Sequence, residues 1–171
     1  MGLELRHLEA GDGPTLARLY LAERAFLAPY EPERPESFFT PAGQRERIDD
    51  MLVRRELGAA YGFVVALDGE PIGTLNLSNV VRGSLQSANV GYWIMERLNG
   101  RGYATAAVGA AVERAFGELG LHRLEASTLV DNRASQRVLE KNEFERIGIA
   151  PNYLRIAGAW RDHVLFQRVA E

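Results

Sequence analysis

The pair Asp68-Gly69 stands between two apolar runs, Ala60–Leu67 and Ile72–Leu77. An Asp-Gly step in that setting encodes a two-residue β-hairpin, because both turn positions need positive φ. A second turn region, Val81–Ser87, precedes a further apolar run, Ala88–Met95, so the middle of the chain reads as an antiparallel meander. Leu3–Leu8 alternates apolar and polar residues as a half-buried strand does. The grammar changes after Met95. Gly102–Leu119 has helical spacing on one face and is stopped by Gly120; His122–Leu129 reads as a strand. Asp131 or Asn132 caps a helix to about Lys141, Phe144–Ile149 is a strand, and a loop with Pro151 and Gly158 leads to a last strand near Asp162–Arg168.

Two more helices precede the hairpin. Asp12 is placed as an N-cap with Pro14 in the first turn, and helical spacing runs from Leu16 to Phe26. Thr40-Pro41 opens the second, to about Leu57. Between them Ala28–Thr40 holds three prolines and three aromatics, which rules out a regular helix. The whole predicts an α+β fold: a mixed, mostly antiparallel central sheet of about seven strands flanked by about four helices. With no repeat or long linker, residues 1–171 are expected to form one domain.

Composition removes several functions. The chain lacks cysteine, which excludes disulfides, thiol nucleophiles and Cys-based zinc sites, and its three histidines are too scattered for a metal centre. A net charge of −3 argues against nucleic acid as a partner. The N-terminus has no signal-peptide run, Arg6 occupies the Ser/Thr position of a myristoylation signal, and no apolar stretch is long enough to span a membrane. A cytoplasmic protein without membrane attachment is expected.

The segment most loaded with chemistry is Arg97–Thr105, RLNGRGYAT, which joins a strand to a helix start. Its glycines permit a tight turn and close approach of a ligand, while free amides and the helix dipole favour a phosphate. Arg97 and Arg101 add positive charge. A plain glycine turn with two solvated arginines remains the alternative. A Walker loop is excluded, because no Lys-Ser or Lys-Thr follows a glycine. A dinucleotide fingerprint is weak, because Thr105 stands where its third glycine belongs.

YWIMERLNGRGYATAAV resembles the acetyl-CoA-binding core of the GNAT N-acetyltransferase superfamily, whose pyrophosphate turn is written Gln/Arg-x-x-Gly-x-Gly/Ala. Asn99, Gly102 and Ala104 fall on its three specified positions, with Asn99 departing from Gln or Arg. VDNRASQRVLEKNEF resembles the Asn-x-x-Ser…Lys-x-Gly-Phe element of the same superfamily, with Asn142-Glu143 where Leu-Gly is common. FLAPYEPERPESFFTPAGQ and YLRIAGAWRDHVLFQR extend the likeness over nearly the whole chain, to the ribosomal-protein alanine N-acetyltransferases, the RimJ/RimL-like branch.

The resemblance implies a GNAT-like sheet and direct transfer of acetyl from acetyl-CoA, without a metal, to a primary amine in a ternary complex. The implied acceptor is a protein N-terminus such as that of a ribosomal protein. A small-molecule amine (antibiotic or polyamine), a non-catalytic acyl-CoA-binding module and a nucleotide-dependent oxidoreductase are the alternatives, and a monomer or homodimer is compatible. Coenzyme contacts are implied at Ile94, Met95, Arg97, Asn99, Gly100, Arg101, Gly102, Tyr103, Ala104, Thr105, Asn132 and Ser135. Backbone groups of Ile94 and Met95 would pair with the pantetheine arm as an added strand does. Ser135 matches the position that protonates the departing thiolate; by its residue type alone it is a surface serine in a first helical turn. Asn132 would bond the pantetheine arm, cap the helix, or do both. The aromatic proline-rich segment with Tyr30, Glu31, Glu33, Arg34, Glu36, Phe38 and Phe39 is the acceptor-side candidate, Tyr30 and Glu31 being its substrate contacts; a structured cover over the core is the alternative. Tyr92 and Trp93 read as packing, and Asp162 and His163, as strand neighbours, face opposite sides and cannot both line one pocket.

Overall fold

The computed structural model describes residues 2–171, and it builds the chain around one seven-stranded sheet. Strands β1 (Leu3–His7), β2 (Tyr61–Leu67), β3 (Glu70–Val81), β4 (Ser87–Ile94), β5 (Arg123–Leu129), β6 (Glu145–Ile156) and β7 (Ala159–Val169) lie in the order β1-β2-β3-β4-β5-β7-β6. The helices are α1 (Gly13–Ala22), α2 (Arg24–Leu27), α3 (Pro41–Glu56), α4 (Tyr103–Glu113) and α5 (Arg133–Lys141). The mixed, mostly antiparallel sheet and its helical cover match the expected class.

The hairpin forms at Asp68-Gly69, both with positive φ, 51° and 87°. Strand β2, YGFVVAL, is buried along both faces and so reads as an unbroken apolar run. Phe63 and Val65 join Leu75, Leu77, Leu124 and Phe166 under α4 in one core. Val64 joins Leu8, Leu16, Tyr20 and Ile48 under α1 and α3 in the other. Ala107, Ala111 and Ala115, fully buried at four-residue spacing, let the α4 segment lie close on the sheet.

One register feature creates the functional region. Among the described residues, strands β4 and β5 are the only parallel pair, and their pairing covers just Ser87, Ala88 and Asn89 against Arg123, Leu124 and Glu125. Beyond Asn89 the strands separate, so the sheet opens where the chemistry-bearing residues lie.

Several boundaries differ from those expected. The first helix breaks at Glu23 rather than running to Phe26, and the Glu23 carboxylate accepts the Glu96 N–H at 2.9 Å. Asp12 precedes α1, but its carboxylate accepts Arg6 and the Glu9 N–H instead of capping the helix. Thr40 does cap α3, accepting Gly43 N–H at 3.1 Å. The helix expected to end at Leu119 is α-helical only to Glu113; Arg114–Glu118 is a π turn, closed by Leu119 N–H to Arg114 C=O at 2.9 Å. Strand β6 runs through Pro151 to Ile156, because it is an edge strand and its register against β7 shifts between Ala150 and Leu154.

Candidate active site

The β4–α4 connection is built as the glycine pattern requires. Gly100 and Gly102 have φ of 77° and 87°, and a Cβ at either would meet nothing within 4 Å. Their glycines answer to backbone conformation, and the space above them is open to a ligand. Gly102 is the N-cap of α4. The first amides of the helix have no intrahelical acceptor and carry the positive end of its dipole, a seat for a diphosphate.

This turn forms one wall of a cavity of about 420 Å³ whose lining includes Ile94, Asn99, Gly100, Gly102, Tyr103, Ala104 and Thr105. Asn132, Ser135 and Tyr30 line it as well. Arg97 and Arg101 lie outside that lining, exposed, and Arg97 Nη2 instead sits 3.9 Å from Met95 Sδ. The cations on the cavity are Arg137 and Lys141. Both project from α5 at i,i+4 spacing, a signal present in the sequence but masked there by the arginines of the glycine turn.

The separated strands leave the edge of β4 free. Met95 N–H donates to Ile72 C=O at 2.8 Å, toward β3. By strand alternation Ile94 then turns its N–H and C=O to the free edge, where an amide-bearing arm can pair with it. Met95 has already spent its amide. Trp93 C=O also points toward β3, so closely that a Cβ on Gly73 would lie 2.1 Å from it.

Asn132 and Ser135 form the helix-start element of α5. Asn132 Oδ1 accepts Ser135 N–H at 3.1 Å, so Asn132 is a cap, and its Nδ2 has no protein acceptor among the described residues. The Ser135 hydroxyl lies 2.9 Å from the Tyr92 hydroxyl. Tyr92 also donates to Ser135 C=O at 3.3 Å. Burial pushes the Tyr92 phenol up to about 12 against the opposing pull of its Ser135 hydrogen bond, so it keeps its proton at neutral pH. Sequence reading treated Tyr92 as packing. Its signal was the β4 alternation that puts it on the same face as Val90 and Ile94.

A second cavity, of about 300 Å³, continues through the opened sheet to the α1 and α3 side. Tyr92, Trp93, Asn132, Ser135, Leu27 and Tyr30 line both cavities. Glu31 lines only the second, together with Arg34 and Arg47. Burial raises the Glu31 carboxyl above its ordinary range despite Arg34, whose Nε lies 3.6 Å from Glu31 Oε2. His163 is 3% exposed and lines this cavity, and its Nδ1 lies 2.9 Å from Arg161 C=O. A carbonyl only accepts, so Nδ1 is the donor in that contact, and Nε2 has no protein hydrogen-bond partner among the described residues. Asp162 faces away and accepts Asn152 N–H at 2.8 Å. Thr128, buried and lining the same cavity, has a hydroxyl without a hydrogen-bond partner among the described residues. Among the described residues no group of His, Asp and Glu side chains is disposed to hold a metal, and no helix is long and apolar enough to cross a membrane.

A glycine turn for a diphosphate, a free strand edge for an amide-bearing arm and a through-sheet opening together describe a site for an acyl-coenzyme A and a second reactant. Residues 2–145 match the acetyltransferase (GNAT) domain family. A probable N-acetyltransferase of Bacillus subtilis strain 168, YjcK, is 39% identical over 161 residues, covering 93% of this chain and 89% of that protein. The ribosomal protein uS5-alanine N-acetyltransferase of Escherichia coli K12 is 36% identical over 165 residues, covering 95% and 85%. Among solved structures, Mycobacterium smegmatis RimJ in complex with CoA-disulfide superposes with a TM-score of 0.95 at 33% identity, over 98% of this chain and 82% of that one. The chain belongs to the GNAT acetyltransferase family. It is an acetyl-CoA-dependent N-acetyltransferase.

Proposed function

We propose that this enzyme acetylates the N-terminal α-amine of a ribosomal protein with an alanine-type terminus, the two reactants entering from opposite sides of the opened sheet. The observation that carries this reading is the meeting of the two cavities at the Tyr92–Ser135 pair, 2.9 Å between hydroxyls. The Escherichia coli relative named for ribosomal protein uS5 aligns over 95% of this chain, which supports the acceptor class.

Acetyl-CoA supplies an already activated acetyl group, so the protein's work is alignment and proton handling. Amides of Gly102, Tyr103, Ala104 and Thr105 hold the diphosphate, Arg137 and Lys141 add charge, and Ile94 and Asn132 Nδ2 orient the arm. Ser135 gives its proton to the thiolate as charge develops on sulfur, and the proton that the amine gives up returns through solvent to Ser135 Oγ, so the hydroxyl is restored. Tyr92, which remains a phenol, can turn its one proton from Ser135 C=O to Ser135 Oγ and so stabilises that transfer. On the acceptor side, His163 and Glu31 are the two lining groups able to take the amine's proton. An α-amine titrates near 7.7–8.0 and a lysine side chain near 10.4, so a modest base suffices for the former (both about average values).

Residues 1–171 act here as one acetyltransferase domain, supported by a single sheet that uses strands from both ends of the chain. An acceptor of this kind puts the enzyme in the cytosol. The test is incubation with acetyl-CoA and alanine-led peptides. One acetyl at the peptide terminus, with stoichiometric release of CoA, is expected; no product across a broad peptide panel removes the acceptor assignment.

A further inference from the structure

The acceptor cavity has more cation than its own carboxylate balances. Its lining holds Glu31 against Arg34 and Arg47. Arg34 sits at ion-pair range from Glu31, 3.6 Å, and over the Phe38 ring at 4.6 Å. Arg47 is braced from behind: its Nε donates to Gln44 Oε1 at 3.1 Å, and Gln44, fully buried, donates Nε2 to Phe38 C=O at 2.6 Å. The Arg47 guanidinium lies 5.3 Å from the Tyr20 ring centre and 5.8 Å from that of Phe38. Its two terminal nitrogens have no protein acceptor among the described residues, and it enters no ion pair there. A buried amide and two aromatic rings thus fix a planar, donor-bearing cation at the edge of the cavity and leave its fork open. That arrangement suits a carboxylate.

An acceptor offering only an ammonium would enter a field with surplus positive charge. One that also brings a carboxylate balances it, the amine lying toward Glu31 and the acid toward Arg47. The surplus cation also favours the neutral, nucleophilic amine over its ammonium form. Arg47 stacks on Tyr20, whose hydroxyl accepts Trp93 Nε1 at 3.1 Å, and Trp93 adjoins Tyr92. Arg47, Tyr20, Trp93, Tyr92 and Ser135 all line this one cavity, so an extended acceptor, at about 3.3 Å per residue, lies along its wall from the junction toward Arg47.

Resting on the acceptor reading above, we propose that Arg47, seconded by Arg34, forms a carboxylate subsite that selects acceptors with an acid group within the first three residues of the reacting amine. The chemistry is shared by an acidic side chain of a peptide and by the carboxylate of a free amino acid, and the test separates them. Matched peptides beginning with Ala and carrying Asp, Asn or Lys at the second or third position are assayed beside free alanine and alaninamide. The native enzyme is expected to favour Asp over Asn by about tenfold in kcat/KM, with Lys lowest. Arg47→Glu should invert the order toward Lys, and Arg34→Gln should narrow it, both with unchanged CoA affinity by calorimetry. Equal kcat/KM across the series overturns the subsite and leaves N-terminal acetylation standing. Acetylation of free alanine over alaninamide, with peptides inert, keeps the carboxylate site but overturns the peptide acceptor. No acetylation of any acceptor, by enzyme that binds CoA, overturns both. The native peptide series decides the question even if Arg47→Glu fails to fold.

Discussion

The two cavities meet at Ser135 but are made of different material. The coenzyme side is centred on one stretch of chain, Ile94 to Thr105, faced by α5 and by Phe26, Leu27 and Tyr30, and much of what that stretch offers is main chain. The acceptor side is made largely of side chains, from α1, α2, the Ala28–Phe39 segment, α3, five strands and α5. A backbone site tolerates change in its side chains wherever the conformation survives. A side-chain site changes specificity with each residue. One half of such an enzyme can therefore stay constant while the other diversifies, and the predictions below test whether that division is real.

The largest effect belongs to the junction. Ser135→Ala is expected to lower kcat by about 10²–10³-fold, the range for loss of a positioned proton donor. CoA affinity should be retained, because the Asn132 cap uses the Ser135 backbone N–H and not its hydroxyl. Tyr92→Phe should lower kcat less, by about tenfold, and add little in the Ser135→Ala background, since the two act as a unit. Single-turnover thiol release with calorimetry for CoA reads both. Loss of CoA binding by Ser135→Ala would merge the two halves that the geometry separates.

A second break tests the acceptor side's scaffold. Asp12, buried, is pulled in opposite directions: burial raises its carboxyl, but the Arg6 hydrogen bonds, the Glu9 N–H and the Arg6 charge together hold it below its ordinary range. Arg6 Nη1 and Nη2 reach the two carboxylate oxygens at 2.9 and 2.6 Å, tying β1 to the start of α1, which carries Tyr20. A depressed carboxyl stabilises above its unfolded value and loses that contribution as pH falls through the folded one. Asp12→Asn should cost about 2 kcal/mol at neutral pH and flatten the acid limb of the stability curve in denaturant titrations. An unchanged acid limb would remove the pair from the scaffold.

How far each half was legible follows from the same division. The Asp68-Gly69 hairpin, the Thr40 cap and the glycine turn at 100–102 are short-range signals, and each forms where its residues predict. The acceptor cavity depends on β4 and β5 parting after Asn89, a register fact that no local pattern announces. Hence the aromatic segment with Tyr30, Glu31 and Arg34 is legible as the acceptor-side candidate, while Arg47 is not: its meaning lies in sharing the Phe38 ring with Arg34 across the fold. Pro151 misled for a related reason. Proline argues against a strand only where the ladder needs its N–H, and an edge strand with a bulge at Asn152, φ 46° and held by Asp162, does not.

Backbone dominance on the coenzyme side predicts a conformational penalty there. Gly102→Ala puts a Cβ on a residue at φ 87°, with no clash but with a strained main chain. The cost should be about 1–2 kcal/mol, read as roughly tenfold weaker CoA binding, with acceptor KM unchanged. A pure stability loss, with native affinity in the folded fraction, would mean that the turn can relax without moving the amides.

The smallest effect decides between two sets of cations. Arg97 and Arg101 were the charges visible beside the glycine turn, yet both lie outside the cavity lining and are exposed. Arg137 and Lys141 line it from α5. All four are exposed and are screened within about 8–10 Å at physiological ionic strength, so what separates them is place: only a cation on the cavity wall lies inside that range of a bound phosphate. Arg101→Ala should therefore change CoA affinity by less than about twofold, the scale of a solvent-exposed pair. Lys141→Ala should weaken it by about three- to fivefold, a loss that shrinks as salt is raised because a lining cation meets phosphate directly. Equal losses from both would extend the coenzyme site onto the exposed face of the turn. A larger loss from Arg101 would mean that side chains, and not the amides of α4, hold much of the diphosphate, and the contrast between the two halves would then lose its basis.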